Sequence, residues 1–460
     1  MISPADARTL DANAEALGIP TSLLMDNAGA ALASFIGKEY PDKRAVFVCG
    51  TGNNGGDGFA AALRMDPERT KVCLLKKPSS IRTEIARERY SVLECPIEAY
   101  AGKDSFAGFD LIVDCALGTG TSGSVREPYA SFIADANSSG LPIISADVPS
   151  GFGSDVCIKP CATVTFHDAK IGMTAENCGK IVIAGIGIPE EAYTRVGPGD
   201  MLRYPVPLAD SHKGNNGRLM IIGGGPYFGA PAMSAMSALR IGADIVRVFT
   251  PESSYPQVAA ASPVLMATKL PGDHLDADSL DIILSASKDF DAVLIGPGLG
   301  SDEMTIRTAM AFLRACKIPT VIDADGISAA KGLTLRNPTV LTPHSREFSR
   351  ISDGKSPEET ASKMGATILK KGKVDLITDG TRTRYNSSGT PAMTGAGTGD
   401  VLAGAVAGLM AKGMGPFDAA CLGAYICGRA GEKAFETKSY GLIATDVIDC
   451  IPTILSEGLR

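Results

Sequence analysis

The chain has 460 residues, which is more than one hydrophobic core usually holds, so two or three domains are expected. Its 52 glycines and 45% hydrophobic residues are typical of a globular α/β protein and exclude a disordered or fibrous one. A net charge of −7 without a basic stripe argues against nucleic-acid and anionic-membrane partners and favours small ligands. The sequence shows no targeting signal and no apolar run of membrane-spanning length, and its eleven cysteines are scattered, so we expect a cytoplasmic protein.

The first half of the chain alternates apolar strands with helical runs. Strands are predicted at Ala45–Cys49, Val72–Leu75, Leu111–Asp114 and Ile143–Asp147. Such alternation predicts a parallel sheet with helices on both faces, whose ligands lie at the carboxyl ends of the strands.

The first strand is followed by a glycine-rich loop, Gly50–Gly58, that leads into the helical run Phe59–Met65. Glycines let backbone N–H groups approach a phosphate at a helix N-terminus, although a bare tight turn is the simpler alternative. Asn53, Asn54 and Asp57 supply oxygen atoms and amide donors that a turn does not need, which favours a ligand site.

Two further predicted strands end in aspartates. Asp114 is followed by the turn Gly118–Gly123, and Asp147 is followed by Pro149-Ser150-Gly151. Each aspartate could simply cap a helix. Because the carboxyl ends of parallel strands share one edge of the sheet, the three turns together predict one ligand crevice.

Five motifs in this half resemble, in order and across residues 1 to about 205, the YjeF N-terminal domain of NAD(P)HX epimerases, where NAD(P)HX denotes hydrated NADH or NADPH. The motifs are Leu24–Gly29, Cys49–Gly58, Val113–Gly120, Asp147–Gly151 and Gly185–Pro189. The resemblance implies a Rossmann-like three-layer αβα domain with a potassium ion held by Asn54, Asp114 and Ser150, and with Asp147 as the catalytic acid or base. It also implies the substrate-binding residues Asn53, Asn54, Gly55, Gly56, Asp57, Gly118, Thr119, Gly120, Thr121, Ser122, Gly123, Ser124 and Asp147.

The stretch 197–213 is rich in glycine and proline and has no periodic apolar pattern, so it is expected to connect two domains, 1–207 and 208–460. The same strand and helix alternation continues after it. Strands are predicted at Leu219–Ile222, Ile245–Phe249, Ala292–Ile295, Thr320–Asp323, Val340–Thr342 and Asp375–Thr378.

A second glycine-rich loop, Thr394–Asp400, precedes an apolar series that predicts a helix ending near Gly413. Such a loop can neutralise charge on a transferred phosphoryl group, and Asp400 can take a proton from an attacking hydroxyl. Alternatively, Asp400 is only a helix cap. His344 follows a predicted strand and could contact a ligand or be purely structural.

The loop ending at Asp400 resembles that of ribokinase-type phosphotransferases, and the fuller set of motifs resembles the ADP/ATP-dependent NAD(P)HX dehydratase domain across 208–460. That set is His212–Gly214, Gly217-Arg218, Ile222–Gly224, Gly229-Ala230, Ala238–Ala243, Gly296–Gly300, Thr342–His344 with Glu347, and Leu369–Gly372. The resemblance implies a ribokinase-like αβα domain in which Ala230, Gly298, His344 and Asp400 contact substrate, with Asp400 as the catalytic base. It assigns nucleotide contacts to Lys371, Gly372, Lys373, Val374, Asp375 and Gly399.

Together the two resemblances imply a metabolite-repair enzyme that epimerises R- and S-NAD(P)HX and dehydrates S-NAD(P)HX, with hydrolysis of ADP to AMP and phosphate. The expected cofactors are K⁺, ADP or ATP as phosphoryl donor, and Mg²⁺. The expected partners are small molecules, with no nucleic acid and no membrane, and the chain is expected to form a homo-oligomer. Two alternatives stay open: a ribokinase-type small-molecule kinase fused to a nucleotide-binding module, and an N-terminal half that binds ligand without turnover.

Overall fold

The structure is a computed structural model that describes residues 1–120 and 123–459. Thr121 and Ser122 of the expected substrate loop lie outside the described residues. The chain divides into two compact units, Met1–Ala192 and Tyr193–Arg460.

This division precedes the boundary expected at 207/208, because residues 193–207 pack with the second unit. Asp200 is only 1% exposed, and its carboxylate accepts a hydrogen bond of 2.5 Å from Arg384. The Tyr204 hydroxyl donates to the carbonyl of Ile241 at 2.8 Å. The glycine- and proline-rich stretch therefore contains a segment that is anchored by long-range contacts.

The first unit is built on a seven-stranded sheet in which all neighbouring strands are parallel. Its strands are β1 (Ala45–Cys49), β2 (Thr70–Leu74), β3 (Ile97–Ala99), β4 (Leu111–Cys115), β5 (Ile143–Ala146), β6 (Ala162–Phe166) and β7 (Lys180–Ala184). Its helices are α1 (Pro4–Ala16), α2 (Thr21–Glu39), α3 (Asn53–Ala62), α4 (Glu84–Ser91), α5 (Tyr129–Asn137), α6 (Ala175–Cys178) and, at the division between the units, α7 (Glu190–Thr194).

The strand order β3-β2-β1-β4-β5-β6-β7 confirms the predicted Rossmann-like fold. Val46 and Val48 of β1 pack with Phe132 of α5 on one face of the sheet, while α3 covers the other face. The close approach of α3 requires glycine at position 58, because a Cβ atom there would lie 2.7 Å from Cys115 Cβ. The order reverses between β1 and β4, so a crevice opens there.

The second unit contains a nine-stranded sheet. Its strands are β8 (Arg218–Ile222), β9 (Ile245–Pro251), β10 (Met266–Leu270), β11 (Ala292–Ile295), β12 (Thr320–Ile322), β13 (Thr339–Leu341), β14 (Thr367–Lys370), β15 (Asp375–Thr378) and β16 (Thr383–Asn386). Its helices are α8 (Gly229–Arg240), α9 (Tyr255–Ala260), α10 (Ala277–Ser287), α11 (Glu303–Ala315), α12 (Asp325–Ala329), α13 (Ser345–Ile351), α14 (Pro357–Met364), α15 (Thr398–Ala411), α16 (Pro416–Lys438) and α17 (Ala444–Gly458).

Alternate residues of β8 enter two separate cores, which makes the second unit a three-layer αβα sandwich. Leu219 and Ile221 pack with α8, α15, α16 and α17, whereas Met220 and Ile222 pack with α10 to α14. The sheet order is β10-β9-β8-β11-β12-β13-β14-β15-β16. It reverses between β8 and β11, in the same way as the sheet of the first unit.

The expectation of a wholly parallel second sheet is wrong at its edge. Strand β15 runs antiparallel to β14, and β16 runs antiparallel to β15. The physical reason is the connection 371–374, which is far shorter than the roughly dozen residues that a parallel crossover needs. Within the described residues, no helix is both long and apolar enough to cross a membrane.

Candidate active sites

The first unit has a cavity of about 1020 Å³ at the carboxyl ends of β1, β4, β5 and β6. These strand ends face the same edge because the strands are parallel. The expected substrate residues that line the cavity are Asn53, Asn54, Asp57, Gly118, Thr119, Gly120, Gly123, Ser124 and Asp147.

Gly55 and Gly56 do not line this cavity, although the resemblance implied that they bind substrate. A Cβ atom on Gly55 would lie 2.2 Å from the carbonyl oxygen of Gly50, and one on Gly56 would lie 2.5 Å from Met25 Cε. The two glycines therefore let the first turn of α3 pack against the preceding loop and against α2. Their side of the helix faces the protein interior.

The three expected potassium ligands lie together, with Asn54 lining the cavity and Asp114 and Ser150 behind it. Ser150 donates from its hydroxyl to Asp114 Oδ1 at 2.5 Å, and its backbone N–H donates to Asp114 Oδ2 at 2.8 Å. The backbone of Leu117 links Asn54 to Ser150. Its N–H donates to Ser150 Oγ at 2.8 Å, and its carbonyl accepts from Asn54 Nδ2 at 3.1 Å. The structure thus brings the three side chains around the backbone of one residue.

This arrangement fits a hard monovalent cation. Asn54 Oδ1 is buried and has no hydrogen-bond partner among the described residues, although a buried amide oxygen normally has one. Burial raises the pKa of the fully buried Asp114 carboxyl, and an adjacent cation would favour its charged form. The donor set consists of amide, carboxylate and hydroxyl oxygens, which suit a hard cation rather than zinc.

Asp147 forms a buried ion pair with Lys170, a residue that sequence reasoning missed. The Lys170 side chain is 3% exposed, and its ammonium donates to Asp147, to Thr165 Oγ1 at 3.0 Å and to the Phe166 carbonyl at 2.8 Å. Lys170 follows β6, which the sequence analysis did not identify. Recognition of β6 would have placed this lysine at the same edge of the sheet as Asp147.

Two more carboxylates share the cavity with this pair. Burial, and then the charges of Asp147 and Asp11, raise the pKa of Asp57 well above its usual range. Burial and the charge of Asp147 raise the pKa of Asp11 to about 6, and Lys170 opposes this rise. Asp11 lies on α1, which the sequence analysis did not connect with the site. Of these two carboxyls, Asp11 can therefore exchange a proton near neutral pH.

In the second unit, the loop before α15 has the geometry expected of an anion-binding turn. Gly397 precedes the helix with φ +94, a left-handed conformation that glycine adopts without strain. The hydroxyls of Ser234 and Ser237 on α8 donate to the carbonyls of Asp400 and Val401 at 3.0 and 2.6 Å. These bonds fix the first turn of α15, which confirms the predicted helix and positions Asp400.

Lys371 and Asp323 form a second buried ion pair beside this loop. Asp323 Oδ1 accepts from Lys371 Nζ at 2.8 Å and from Thr342 Oγ1 at 2.7 Å, and the Asp323 side chain is 3% exposed. A Cβ atom built on Gly399 would lie 3.3 Å from Lys371 Nζ, so the ammonium lies against the glycine-rich loop. Lys371 is thus placed where a nucleotide phosphate is expected.

Three other residues that are expected to contact the nucleotide, Lys373, Val374 and Asp375, lie in the turn between β14 and β15 or at the start of β15 and have no described contact with the glycine-rich loop. Asp375 accepts from the N–H of Gly372 at 3.0 Å and from Asn386 Nδ2 at 3.0 Å, so its carboxylate fastens the turn between β14 and β15. Lys373 and Val374 are exposed at the tip of that turn. Among these residues, Lys371 has the most direct geometric support.

His344 caps a helix, which is one of the alternatives considered for it. Its Nδ1 accepts from the N–H groups of Arg346 and Glu347 at 3.1 and 3.3 Å, and its side chain is 51% exposed. Only Nε2 remains for a ligand, and Glu347 lies 3.5 Å from it. His344 therefore combines a structural role with an accessible ring nitrogen.

Gly298 and Ala230 lie on two turns that touch each other at the β8/β11 reversal. A Cβ atom on Gly298 would be 2.1 Å from the carbonyl of Tyr227, just before α8, and Gly298 has φ +72. Ala230 is in the first turn of α8. Only glycine at position 298 permits this close approach, which brings the two turns that carry Gly298 and Ala230 together.

Asp400 titrates near neutral pH. Burial and the charge of Asp323 raise its pKa to about 7, Lys371 opposes the rise, and Asp325 and Glu347 add to it. A carboxylate with this pKa can accept a proton at physiological pH. Asp400 is thus suited to the role of a base.

This pKa also predicts a pH-dependent effect on stability. The folded state keeps a proton on Asp400 between its usual pKa of 3.8 and about 7, so the wild-type protein loses stability as the pH rises through that window. Asp400→Asn removes this loss. We therefore expect the unfolding temperature of the variant, relative to that of wild type at the same pH, to increase from pH 4 to pH 7 and then stay constant. Thermal unfolding monitored by circular dichroism at several pH values measures the effect.

Asp379→Asn is the control with the opposite sign, because hydrogen bonds from Arg382 and Thr381 outweigh burial and lower the pKa of Asp379 to about 2. Its stabilising contribution is present above the usual pKa of 3.8 and is lost as the pH falls towards 2. A pH-independent difference between Asp400→Asn and wild type would contradict the elevated pKa of Asp400.

Comparisons with known proteins find relatives for both units. The family profile described as YjeF-related protein N-terminus matches residues 21–172, and the profile described as NAD(P)H-hydrate dehydratase matches residues 219–453. A protein of Pyrobaculum aerophilum named bifunctional NAD(P)H-hydrate repair enzyme Nnr is 39% identical, with 97% of this chain and 96% of the relative covered. A protein of the same name from Methanothermobacter thermautotrophicus is 40% identical, with 100% and 96% covered.

Among solved structures, the ADP/ATP-dependent NAD(P)H-hydrate dehydratase of Bacillus subtilis, co-crystallised with ATP and Mg²⁺, superposes with a TM-score of 0.52 and 23% identity. The match covers 58% of this chain and 99% of that one. A ribokinase-like superfamily protein of Enterococcus faecalis gives the same TM-score with 26% identity, covering 58% and 96%. These likenesses confirm the ribokinase-like fold of the second unit, and the full-length relatives show that this chain belongs to the family of bifunctional NAD(P)H-hydrate repair enzymes.

Proposed function

We propose that this chain restores hydrated nicotinamide cofactors through two activities. The first unit interconverts the R and S isomers of NAD(P)HX, and the second unit dehydrates the S isomer to NAD(P)H while ADP is hydrolysed to AMP and phosphate. The observation that carries this proposal is the buried lysine–aspartate pair in each unit, Lys170–Asp147 and Lys371–Asp323, beside a glycine-rich loop. Two relatives named bifunctional NAD(P)H-hydrate repair enzyme match 97% and 100% of this chain, and thus both units.

The dehydration begins with transfer of a phosphoryl group. Asp400 takes the proton of the ring hydroxyl, whose oxygen forms a bond to the terminal phosphorus of ADP as the bond to AMP breaks. The N–H groups at the start of α15 and the Lys371 ammonium stabilise the charge on the phosphoryl oxygens. Phosphate then leaves with the electrons of the carbon–oxygen bond, the adjacent carbon loses a proton, and the ring double bond is restored.

Two observations support the proposed phosphoryl donor and its metal ion. The similar dehydratase of Bacillus subtilis is ADP/ATP-dependent and was co-crystallised with ATP and Mg²⁺. Among the described residues there is no cluster of three or more His, Cys, Asp or Glu that could hold a metal. Mg²⁺ would therefore enter largely through the nucleotide phosphates, as it does in many phosphoryl-transfer sites. We propose ADP as the preferred donor, with ATP as the alternative.

In the first unit, α3 begins at the expected phosphate loop, and its N-terminus faces the cavity. Backbone donors at a helix N-terminus suit the pyrophosphate of the cofactor. Asp147 would then act as acid or base on the hydroxyl of the ring carbon, with Lys170 holding the carboxylate in place. We further propose that Asn54, Asp114 and Ser150 bind a potassium ion, which would fix the adjoining loops of the cavity.

The cation proposal predicts a specific stabilisation by potassium. Addition of K⁺ is expected to raise the unfolding temperature of the first unit, by an amount equivalent to about 2.7 kcal/mol when the ion is at about 100 times its dissociation constant. Asn54→Ala removes the buried oxygen that lacks a partner and should abolish this shift. Differential scanning calorimetry in K⁺ and in choline at equal ionic strength measures it.

Asn53→Ala is the matched control, because Asn53 is the exposed neighbour of Asn54 and is outside the proposed ligand set. It should keep the full potassium shift. An equal shift in wild type and Asn54→Ala would show that K⁺ acts elsewhere.

One incubation tests the whole proposal. Purified protein is mixed with R- and S-NADHX, with and without ADP, and chiral chromatography follows both isomers while absorbance follows restored NADH. We expect interconversion without ADP and complete restoration with it, together with AMP and free phosphate. Accumulation of a phosphorylated product would indicate a small-molecule kinase, and binding without interconversion would indicate a first unit that lacks turnover. The expected cytoplasmic location and homo-oligomeric state stay predictions, which fractionation and sedimentation would test.

A further inference from the structure

Helix α1 forms one wall of the cavity in the first unit and places a carboxylate there. Ala7, Arg8 and Asp11 line the cavity, whereas Thr9 and Asn13 on the opposite side of the helix are buried. Asp11 is therefore on the face of α1 that meets the ligand. It is neither a cap nor part of the glycine-rich loops.

The start of α1 is bonded to the turn that carries Lys170. The N–H of Ile2 donates to the carbonyl of Ala169 at 2.9 Å, and the N–H of Ile171 donates to the carbonyl of Ile2 at 3.0 Å. Ser3 then caps the helix through its hydroxyl, which accepts from the N–H of Asp6 at 3.1 Å. These contacts fix the position of Asp11 relative to Lys170 and its partner Asp147.

The Asp11 carboxylate makes no hydrogen bond or ion pair with the part of the chain that the structure describes. A partly buried carboxylate without a partner is unfavourable, and its pKa of about 6 reflects burial and the nearby charge of Asp147. Such a group holds its proton more readily than an exposed aspartate. It can therefore deliver a proton near neutral pH.

The inference rests on the proposed isomerisation, whose chemistry needs two proton-transfer groups. Hydration of the ring places the hydroxyl on a carbon next to the ring nitrogen, and such a centre inverts by opening and closing the ring. On opening, the hydroxyl proton leaves, the C–O bond becomes a carbonyl, the C–N bond breaks and the nitrogen takes a proton. Closing on the other face reverses each transfer, so that no proton is consumed.

We propose that Asp11 is a second catalytic residue of the isomerisation and donates the proton to the ring nitrogen while Asp147 accepts the proton of the hydroxyl. The two carboxylates belong to different elements, α1 and the turn after β5, so each can face a different atom of the ring. Lys170 is ion-paired with Asp147, whereas Asp11 forms no ion pair with the described residues.

The test is the isosteric variant Asp11→Asn in the full chain. The kcat of isomer interconversion is expected to fall by about 100-fold or more, as is typical when a proton-transfer group is lost. The KM for NADHX should change little, because Asp11 is not part of the phosphate loop. Dehydration of S-NADHX by the second unit should keep its rate, and the unchanged KM for NADHX shows that the first unit is folded. Interconversion must be followed at short times, because the isomers also convert spontaneously.

The pH profile separates a catalytic role from a structural one. If Asp11 must carry a proton, the wild-type rate falls as the pH rises above about 6, and Asp11→Asn lacks this descending arm. The charged groups that face Asp11 in the cavity are Arg8, Asp57, Asp147 and Lys170, and those elsewhere on its wall are Lys76, Arg82, Arg126, Glu127 and His167. All of them are retained in the variant, so loss of the arm identifies Asp11.

Glu15→Gln is the matched control, since Glu15 is an exposed carboxylate one turn along the same helix. It should keep both rate and pH profile, and Asp11→Glu should keep the descending arm at a reduced rate. If Asp11→Asn interconverts the isomers as fast as wild type, or keeps the descending arm, the assignment of Asp11 is wrong while the proposed function stands. If wild type fails to interconvert the isomers, the proposed function itself is wrong and this inference falls with it.

Discussion

Replacing Asp400 with asparagine is expected to lower nucleotide-dependent dehydration of S-NAD(P)HX by about 100-fold or more. The variant keeps the shape of the side chain and the carbonyl that accepts from Ser234, but it cannot accept the hydroxyl proton. Interconversion of the isomers should proceed unchanged, because its cavity is lined by residues of the first unit. Restoration of NADH absorbance from pure S-NADHX with ADP measures the first effect, and chiral chromatography measures the second.

The pH dependence makes this test sharper. Because a base must lose its proton, the wild-type rate of dehydration should rise as the pH passes about 7. Asp353→Asn is a suitable control, since Asp353 forms an exposed ion pair with Lys363 at 2.9 Å. Dehydration by Asp400→Asn at a rate near that of wild type would remove Asp400 from the mechanism.

The second large effect is expected at Asp147, and the structure decides which substitution to use. Asp147 has φ +63, a conformation in which asparagine is tolerated better than alanine. Alanine would also leave the buried Lys170 ammonium without its partner, at a cost of about 3–5 kcal/mol. Asp147→Ala is therefore expected to destabilise the first unit, whereas the amide oxygen of Asp147→Asn can still accept from Lys170.

Asp147→Asn should lower isomer interconversion by about 100-fold or more while the phosphate loop still binds the cofactor. With ADP present, consumption of an equal mixture of the two epimers should stall near its midpoint, because the second unit is proposed to use only the S isomer. Asp155→Asn, in an exposed loop, is the control and should clear the whole mixture. Clearance of both isomers by Asp147→Asn at the wild-type rate would make Asp147 a structural residue.

The parts of the two sites that could be predicted from the sequence are those with a local signal. An apolar strand followed by a glycine-rich turn, as in β1 with Gly50–Gly58, predicts a strand, a turn and a helix start, because a few neighbouring residues determine all three. Asp114 and Asp147 follow strands in the same way. These residues meet at one edge because parallel strands end together.

Lys170 and Asp11 could not be predicted from the same evidence. Strand β6 contains Thr163 and Thr165, which are buried, so it lacks the continuous apolar run that identified its neighbours. Asp11 occupies a polar position on an amphipathic helix, which is indistinguishable in sequence from a solvated one. Both residues reach the cavity through tertiary packing.

The expected boundary at 207/208 differs from the division of the structure at 192/193 for a related reason. Asp200 and Arg384 are 184 residues apart in the chain, so no local sequence pattern predicts their ion pair. The flanking glycines and prolines indicate an irregular backbone, but they do not indicate which unit it packs against. Only the fold of the second unit supplies that partner.

The tight contact between α8 and α15 has a consequence for how the second unit meets its ligands. A Cβ atom on Gly404 would lie 2.1 Å from the carbonyl of Ser234, so α15 has no space to shift toward α8. The donors at its N-terminus are therefore held in place without a ligand, so the proposed phosphoryl transfer would lose little free energy in reorganising them. Adaptation to ligands of different length, such as a nucleoside diphosphate or triphosphate, must then come from the turns opposite α15.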